Sequence, residues 1–255
     1  MNYAFRLLFF LLLLSGCKNE TQLIFSSEIV TEKTLDICQN EFCSPVTIDY
    51  VIASGDKAIS EKINSEIETY IIEALFLGDD AKPTANDITQ AVRDFILAYR
   101  DHQPDIPSEL DSGGYEAEIS IQNKFQNEQW VCIELTKYLY EGGIHGFESS
   151  LFLNFNLQTT ELMDYDDLFD DLQGFKILAE DTFRKTQNIS KGAPLNESGF
   201  WFENETFELP ESIGFSETNV ILIYNIYEIA PYGVEAFELI IPLEEVEPFL
   251  TANFL

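Results

Sequence analysis

Two segments in the first half of the chain repeat apolar residues at helical spacing. One of them has an aliphatic residue at every fourth position, at Ile59, Ile63, Ile67, Ile71 and Leu75. Residues at this spacing line one face of an α-helix, so we predict a helix from Asp56 to about Phe76. A second helix is predicted from Asn86, the expected N-cap residue, to about His102.

Runs rich in β-branched and aromatic residues predict strands around these helices. The first run is Val46–Ala53, and three more follow a loop that contains proline and glycine: Tyr115–Phe125, Gln129–Tyr140 and Phe147–Leu157. Short turns separate the last three, which favours antiparallel pairing between neighbours.

The last third of the chain predicts a helical region followed by more strands. The helical region begins at Asp164, Asp166 and Asp167 and runs to about Gln187. The strand candidates are Phe200–Phe207, Asn219–Ile226 and Phe237–Ile241, and a short closing helix covers Leu243–Leu250. Helices and strands are segregated into blocks, which predicts an α+β fold: antiparallel sheets with helices packed on them, in two consecutive α/β modules.

The first 34 residues predict export and lipid anchoring. Arg6 precedes an unbroken apolar run from Leu7 to Leu14, which is too short to span a bilayer but fits a secretory signal. Leu14-Ser15-Gly16-Cys17 resembles a bacterial lipobox. We therefore predict a signal peptide over 1–16, lipidation of Cys17, and a polar tether over 17–34 that passes into a first strand. The predicted domains are then 35–145 and 146–255.

The chain is strongly acidic, with 45 acidic and 14 basic residues and a formal net charge of −31. Such a surface repels nucleic acid and anionic lipid, and it accelerates association with cationic partners. A role in solubility alone also explains this charge. Because 45% of the residues are hydrophobic, the acidity does not indicate disorder.

Four cysteines fit an oxidising compartment. Cys38 and Cys43 are close enough in sequence to close a small disulfide loop, while a bridge from either of them to Cys132 stays open. A zinc site is not expected, because the spacing is wrong and the chain has two histidines. We expect no metal and no cofactor.

Three motifs carry a resemblance to a known family: Gly142-Gly143-Ile144-His145-Gly146, Asp166-Asp167-Leu168-Phe169, and Tyr227-Glu228-Ile229-Ala230-Pro231-Tyr232. With the order of elements around them, they resemble the paired domains of unknown function in the extracellular part of the lysozyme-sensing anti-sigma factor RsiV. The same pair occurs in the N-terminal region of the peptidoglycan deacetylase PdaC and in many Bacteroidetes lipoproteins. The resemblance implies an α+β fold and an extracellular binding role. Signalling and deacetylation do not carry over, since the chain has a lipid anchor in place of the membrane helix and lacks the deacetylase domain.

Two segments are candidate binding sites. The segment around Tyr227, Glu228, Pro231 and Tyr232 is rich in tyrosine, which is common at protein and glycan interfaces, although the same tyrosines can cap the core beside a proline bend. His145 can face a partner at a loop tip, or can simply bond to neighbouring backbone in a glycine turn.

The sequence offers little for catalysis. The aspartates at 164–171 lack the glycine and ligand spacing of a calcium loop, and favour instead the start of a helix. No catalytic residue is predicted. We therefore expect a non-enzymatic, envelope-anchored binding lipoprotein, exported to the outer membrane, whose partner is a cationic protein such as lysozyme or a cell-wall glycan. A peptidoglycan hydrolase and a structural envelope component are the alternatives.

Overall fold

The computed structural model describes residues 23–39, 41–78, 82–105, 114–231 and 236–251. Within them lie eight strands and five α-helices. Their bounds are β1 Ile24–Thr31, β2 Val46–Ser54, α1 Lys57–Ala74, α2 Ile88–His102, β3 Glu116–Gln126, β4 Trp130–Tyr140, β5 Phe147–Asn156, α3 Tyr165–Leu168, α4 Leu172–Thr186, β6 Ile213–Phe215, β7 Asn219–Tyr224, β8 Phe237–Pro242 and α5 Leu243–Val246. A 3-10 turn over Glu247–Phe249 completes the predicted closing helix.

The first sheet has five strands in the order β1-β2-β3-β4-β5. The predicted meander is confirmed, because β3, β4 and β5 pair antiparallel with their neighbours. β2 and β3 pair in parallel, since α1 and α2 connect them and return the chain to the same end of the sheet. β1 lies within the range predicted as a tether and pairs with β2 along its full length.

Both helices that connect β2 to β3 begin at an aspartate. Asp56 accepts hydrogen bonds from the first turn of α1, as expected. The prediction that Asn86 caps the second helix is wrong: the N-cap is Asp87, whose carboxylate accepts from the backbone N–H of Gln90 at 2.8 Å. A carboxylate at this position also interacts favourably with the positive end of the helix dipole, which explains the preference for Asp87.

The second sheet is a three-stranded antiparallel meander, β6-β7-β8, packed against α4. The helical region predicted after Asp164 is divided into α3 and α4. Asp164 and Asp167 form a capping box at α3, which confirms that these aspartates start a helix. Phe183 of α4 is fully buried, and five rings lie 4.9 to 6.1 Å from it: Phe200, Phe202, Phe207, Tyr224 and Phe237.

The strand predicted at Phe200–Phe207 is wrong. The segment contains a 3-10 turn at Glu203–Glu205, in which Asn204 and Glu205 have φ angles of 52° and 60°. A straight strand would send Phe202 and Phe207 to opposite faces, because alternate residues point in opposite directions. Both rings instead pack on Phe183, so the chain must turn between them.

The two hydrophobic cores lie on opposite faces of the first sheet. On β4, Val131 and Ile133 face the core beneath α1 and α2, whereas Trp130 and Cys132 belong to the core shared with α4 and the second sheet. The predicted α+β class with helices on largely antiparallel sheets is confirmed. The predicted domain boundary at 145/146 falls between β4 and β5, which are adjacent strands of one sheet.

Candidate functional site

Two of the predicted site residues, Cys17 and Tyr232, lie outside the residues that the structure describes. Lipidation of Cys17 stays a prediction. The remaining candidates for binding fall in two places: a hairpin loop that holds His145, and the segment after β7 that holds Tyr227, Glu228 and Pro231. The predicted cysteine pair, Cys38 and Cys43, lies in a third.

The cysteine pair closes a loop that α2 holds in place. Cys38 and Cys43 are joined by a disulfide, with their Cα atoms 5.5 Å apart. The Arg100 guanidinium enters this loop and donates hydrogen bonds to the carbonyl oxygens of Ile37 and Phe42, at 2.9 and 3.0 Å. This arrangement stabilises the connection between β1 and β2, and it lies on a different part of the fold from the tyrosine-rich turn.

Cys132 is a free thiol with no access to solvent. Burial raises its pKa to about 12, and its sulfur accepts a hydrogen bond from the backbone N–H of Phe215. A thiol in this environment is a small apolar group of the core, not a nucleophile.

His145 lies in the loop that joins β4 to β5. Gly142 and Gly143 both have positive φ angles, and Ile144 at the tip is 92% exposed. The Nδ1 atom of His145 lies 3.2 Å from the carbonyl oxygen of Gly146. The loop therefore displays an imidazole and an apolar side chain, and a local backbone contact holds the imidazole.

The Asn225 side chain fastens the turn after β7 to the outer edge of β5. Asn225 accepts a hydrogen bond from the backbone N–H of Ser150 at 2.7 Å and donates one to its carbonyl oxygen at 2.9 Å. The amide thus occupies the edge positions that a neighbouring strand would take. This pairing fixes where the tyrosine-rich segment lies on the sheet.

Tyr227 and Glu228 have different environments within this turn. Tyr227 is 52% exposed and has a φ angle of 71°, which is rare for a residue with a side chain. The Glu228 carboxylate points inward and accepts from the backbone N–H groups of Glu211 and Asn225, at 3.0 and 2.8 Å. Partial burial raises the pKa of Glu228. Tyr227 is therefore the surface residue, and Glu228 holds the turn together.

Trp201 lies beside this turn and was not predicted as a site residue. Its backbone N–H donates to the carbonyl oxygen of Ile229 at 2.7 Å, so the two segments are neighbours. The Trp201 side chain is 54% exposed, whereas Phe200 and Phe202 on either side are buried. Alternation along the Phe-Trp-Phe sequence is the signal that identifies an outward-facing tryptophan.

Carboxylates dominate this part of the molecule. From residue 192 to the C-terminus the sequence has 12 glutamates and no lysine, arginine or histidine. Glu197, Glu203 and Glu211 are exposed; the first two lie within four residues of Trp201 in sequence, and the backbone of Glu211 is bonded to Glu228, next to Tyr227. We use the term "aromatic face" for Trp201, Tyr227 and these three glutamates. His145 is not part of the aromatic face. The Tyr227 turn is attached to β5 at Ser150, and the His145 loop ends at Phe147, which is about 10 Å from Ser150 along the strand.

Other features of the described residues are consistent with a surface and not a deep pocket. A depression of about 570 Å³ beside Leu97 and Asp101 is open to solvent on the surface of α2. A cleft of about 140 Å³ lies between Gln129, Met163 and Thr251, below the usual size of a ligand pocket. Within the described ranges, no three His, Cys, Asp or Glu residues are grouped so that they could hold a metal ion. No helix in this part of the chain is long and apolar enough to cross a membrane.

Comparisons with known proteins show a shared fold and a family match over part of the chain. Two solved structures share the fold: a DUF3298 family member from Bacteroides fragilis NCTC 9343 (TM-score 0.69, 21% identity, 92% of this chain and 96% of the other), and a DUF3298 family protein from Pseudomonas aeruginosa PAO1 (TM-score 0.59, 19% identity, 91% and 95%). No curated protein matches the chain. About nine tenths of the chain shares the α+β fold of these solved DUF3298 proteins, and residues 156–244 match DUF3298, a family of proteins of unknown function.

Proposed function

We propose that this chain is an exported, lipid-anchored binding protein without catalytic activity, and that its aromatic face binds a cationic protein such as lysozyme. The observation that carries the proposal is the combination found on this face: two exposed aromatic side chains within a region of the sequence that contains no basic residue.

The negative charge of the chain favours a positively charged partner. With a net charge of −31, the chain attracts basic proteins over distances of about 10 Å at 0.1 M salt and repels anionic ones. Attraction of this kind raises association rates but provides little selectivity. Selectivity then depends on the aromatic side chains, because buried aromatic contacts contribute most of the binding energy at protein interfaces.

The backbone of the aromatic face is held in place before any partner arrives. Asn225 attaches the Tyr227 turn to β5, and Glu228 attaches it to the Glu211 segment. Tyr227 adopts a left-handed backbone conformation that costs energy and that these bonds maintain. A surface fixed in this way loses less conformational entropy on binding.

The resemblance to the lysozyme-sensing anti-sigma family supports lysozyme as the first partner to test. The motif shared with that family contains Tyr227, Glu228 and Pro231, which the structure brings together in one turn. Neither a peptidoglycan hydrolase nor a structural envelope component is favoured by a specific arrangement of the described residues.

The binding proposal is tested with the mature chain from residue 17 carrying Cys17→Ser, titrated with lysozyme at about 0.02 M and about 0.15 M salt. We expect saturable binding at both, weakened in Tyr227→Asn. Asparagine is chosen because it tolerates the left-handed conformation while removing the ring. Ile177→Ala, which trims an equally exposed apolar residue on α4, is the matched control.

Two results would contradict the binding proposal. One is that no saturable binding occurs at either salt concentration. The other is binding that disappears at the higher salt and is unchanged in Tyr227→Asn, which reduces the effect to nonspecific charge attraction.

The anchoring part of the proposal is tested separately in cells. The unmodified chain should partition with the outer membrane and take up labelled fatty acid, and Cys17→Ser should abolish both. If Cys17→Ser kept its membrane fractionation and its label, the lipoprotein assignment would be wrong, whatever the outcome of the lysozyme titration.

A further inference from the structure

We propose that Trp201 is the anchor of the aromatic face, and that an arginine side chain of the cationic partner stacks on its indole while pairing with Glu203. The inference rests on the proposed function and adds to it a specific residue and a specific chemical group on the partner.

The first argument is that Trp201 is exposed beside a core that is built of aromatic rings. Phe200, Phe202 and Phe207 are buried around Phe183, yet Trp201 leaves 54% of its side chain in solvent. An exposed tryptophan of this size loses the free energy that burial would provide. Tryptophan is also among the residues most enriched at the energetic centres of protein interfaces.

The second argument is the rigidity of the loop that presents Trp201. The Asn196 side chain accepts from the backbone N–H of Phe202 and donates to its carbonyl oxygen, both at 2.8 Å. The Glu205 carboxylate accepts from the backbone N–H of Asn196 at 2.8 Å. Two successive residues, Asn204 and Glu205, adopt left-handed conformations. Such a conformation persists when surrounding bonds fix it, and it is common at binding sites.

The third argument is the charge next to the indole. Trp201 and Glu203 are both exposed and flank the buried Phe202, whose backbone is extended. Two residues along an extended backbone span about 7 Å. A guanidinium within about 6 Å of the indole centre can therefore also reach the carboxylate of Glu203.

Arginine fits this arrangement better than lysine. Its guanidinium is planar, stacks on aromatic faces and binds carboxylates through two parallel N–H groups, whereas the lysine ammonium is a compact, strongly hydrated charge. A sugar ring also stacks on tryptophan and its hydroxyls can donate to carboxylates, but it carries no positive charge to pair with the surrounding glutamates. The charge around Trp201 therefore favours a protein partner over a glycan.

The two tryptophans of the chain make a direct test possible. Trp130 is 3% exposed, so acrylamide reaches Trp201 preferentially and the quenchable emission reports on Trp201. The mature chain carrying Cys17→Ser is titrated with hexa-arginine, hexalysine and tetra-N-acetylchitotetraose. We expect hexa-arginine to shift the emission to shorter wavelength and protect it from acrylamide, at lower concentration than hexalysine. Protection by the glycan alone would overturn the inference.

Variants separate this inference from the proposed function. Trp201→Leu keeps an apolar side chain but removes the π-system, and it should weaken lysozyme binding about thirtyfold, the usual threshold for an energetic centre. Thermal unfolding is measured in parallel, with Ile177→Ala as the control. If Trp201→Leu binds lysozyme as wild type does while Tyr227→Asn does not, the assignment of Trp201 as the anchor is wrong, and the proposal that the aromatic face binds lysozyme is retained. If wild type binds neither lysozyme nor hexa-arginine, both proposals are wrong.

Discussion

Replacing Asn225 with alanine should destabilise the protein by an amount that the structure allows us to estimate. Asn225→Ala removes two hydrogen bonds to Ser150, one accepted and one donated, at a partly buried position on the edge of β5. Each hydrogen bond contributes about 1 kcal/mol net, and a buried backbone group left unpaired adds about 1 kcal/mol or more. We therefore expect the free energy of unfolding to fall by about 2–3 kcal/mol.

Urea denaturation followed by circular dichroism measures this change directly, and the unfolding temperature should fall by about 5–10 °C for a chain of this length. Asn225→Asp is the informative second variant. It keeps an acceptor for the Ser150 N–H but places a carboxylate against the Ser150 carbonyl oxygen, so it should be at least as destabilising. Gln122→Ala, which removes a hydrogen bond to Ser120 on the exposed surface, is the control and should cost less than about 0.5 kcal/mol.

The reasoning would be refuted if Asn225→Ala fell within about 0.5 kcal/mol of wild type. Such a result would mean that water replaces the amide at the edge of β5 without cost. A destabilised Asn225→Ala should also bind lysozyme more weakly under native conditions, because the Tyr227 turn loses its attachment to the sheet. If its lysozyme affinity were unchanged, the turn would be held by Glu228 alone.

Three further predictions concern the interior. Phe183→Ala removes the ring that five others contact and should lower the free energy of unfolding by about 3–5 kcal/mol in urea denaturation; less than about 2 would mean that the cluster can repack. Replacing Cys38 and Cys43 with serine should cost about 2 kcal/mol from loop-closure entropy, and a reducing agent should then have no further effect on stability. Burial raises the pKa of Glu228, so the folded state keeps this proton to higher pH than the unfolded chain. The contribution of the protonated group to stability is fully present below the unfolded pKa and falls as pH rises through the folded pKa, and Glu228→Gln should flatten the stability–pH curve over that interval.

The periodic parts of the chain could be predicted from sequence because their pattern is local. The four-residue repeat from Ile59 to Leu75 identified α1, and the runs before and after it identified β2 to β5 within a few residues. The short strand β6 was missed, since three residues give no recognisable alternation. The parallel pairing of β2 with β3 depends on a contact across two helices, which no local window contains.

The candidate site was predicted less completely, for a physical reason. Tyr227, Glu228 and Pro231 were selected as a group from their motif, but their separate roles depend on whether each side chain points inward or outward. Glu228 turns inward because two backbone N–H groups meet it there, one from Asn225 in the same turn and one from Glu211 in a separate segment. Trp201 was not recognised as a site residue, because its segment was wrongly assigned as a strand. The turn at Asn204, which corrects that assignment, follows from packing on Phe183.

Alternate residues of β4 serve different cores, and this restricts how the protein can evolve. Shifting β4 by a single residue against its neighbours would exchange Val131 and Ile133 with Trp130 and Cys132, so both interiors would receive side chains of the wrong size at once. An insertion or deletion in this strand is therefore penalised twice. The N-terminal and C-terminal halves should accordingly be inherited together. A gene fragment that begins after β4 would encode the C-terminal module without the β4 side chains that complete its core.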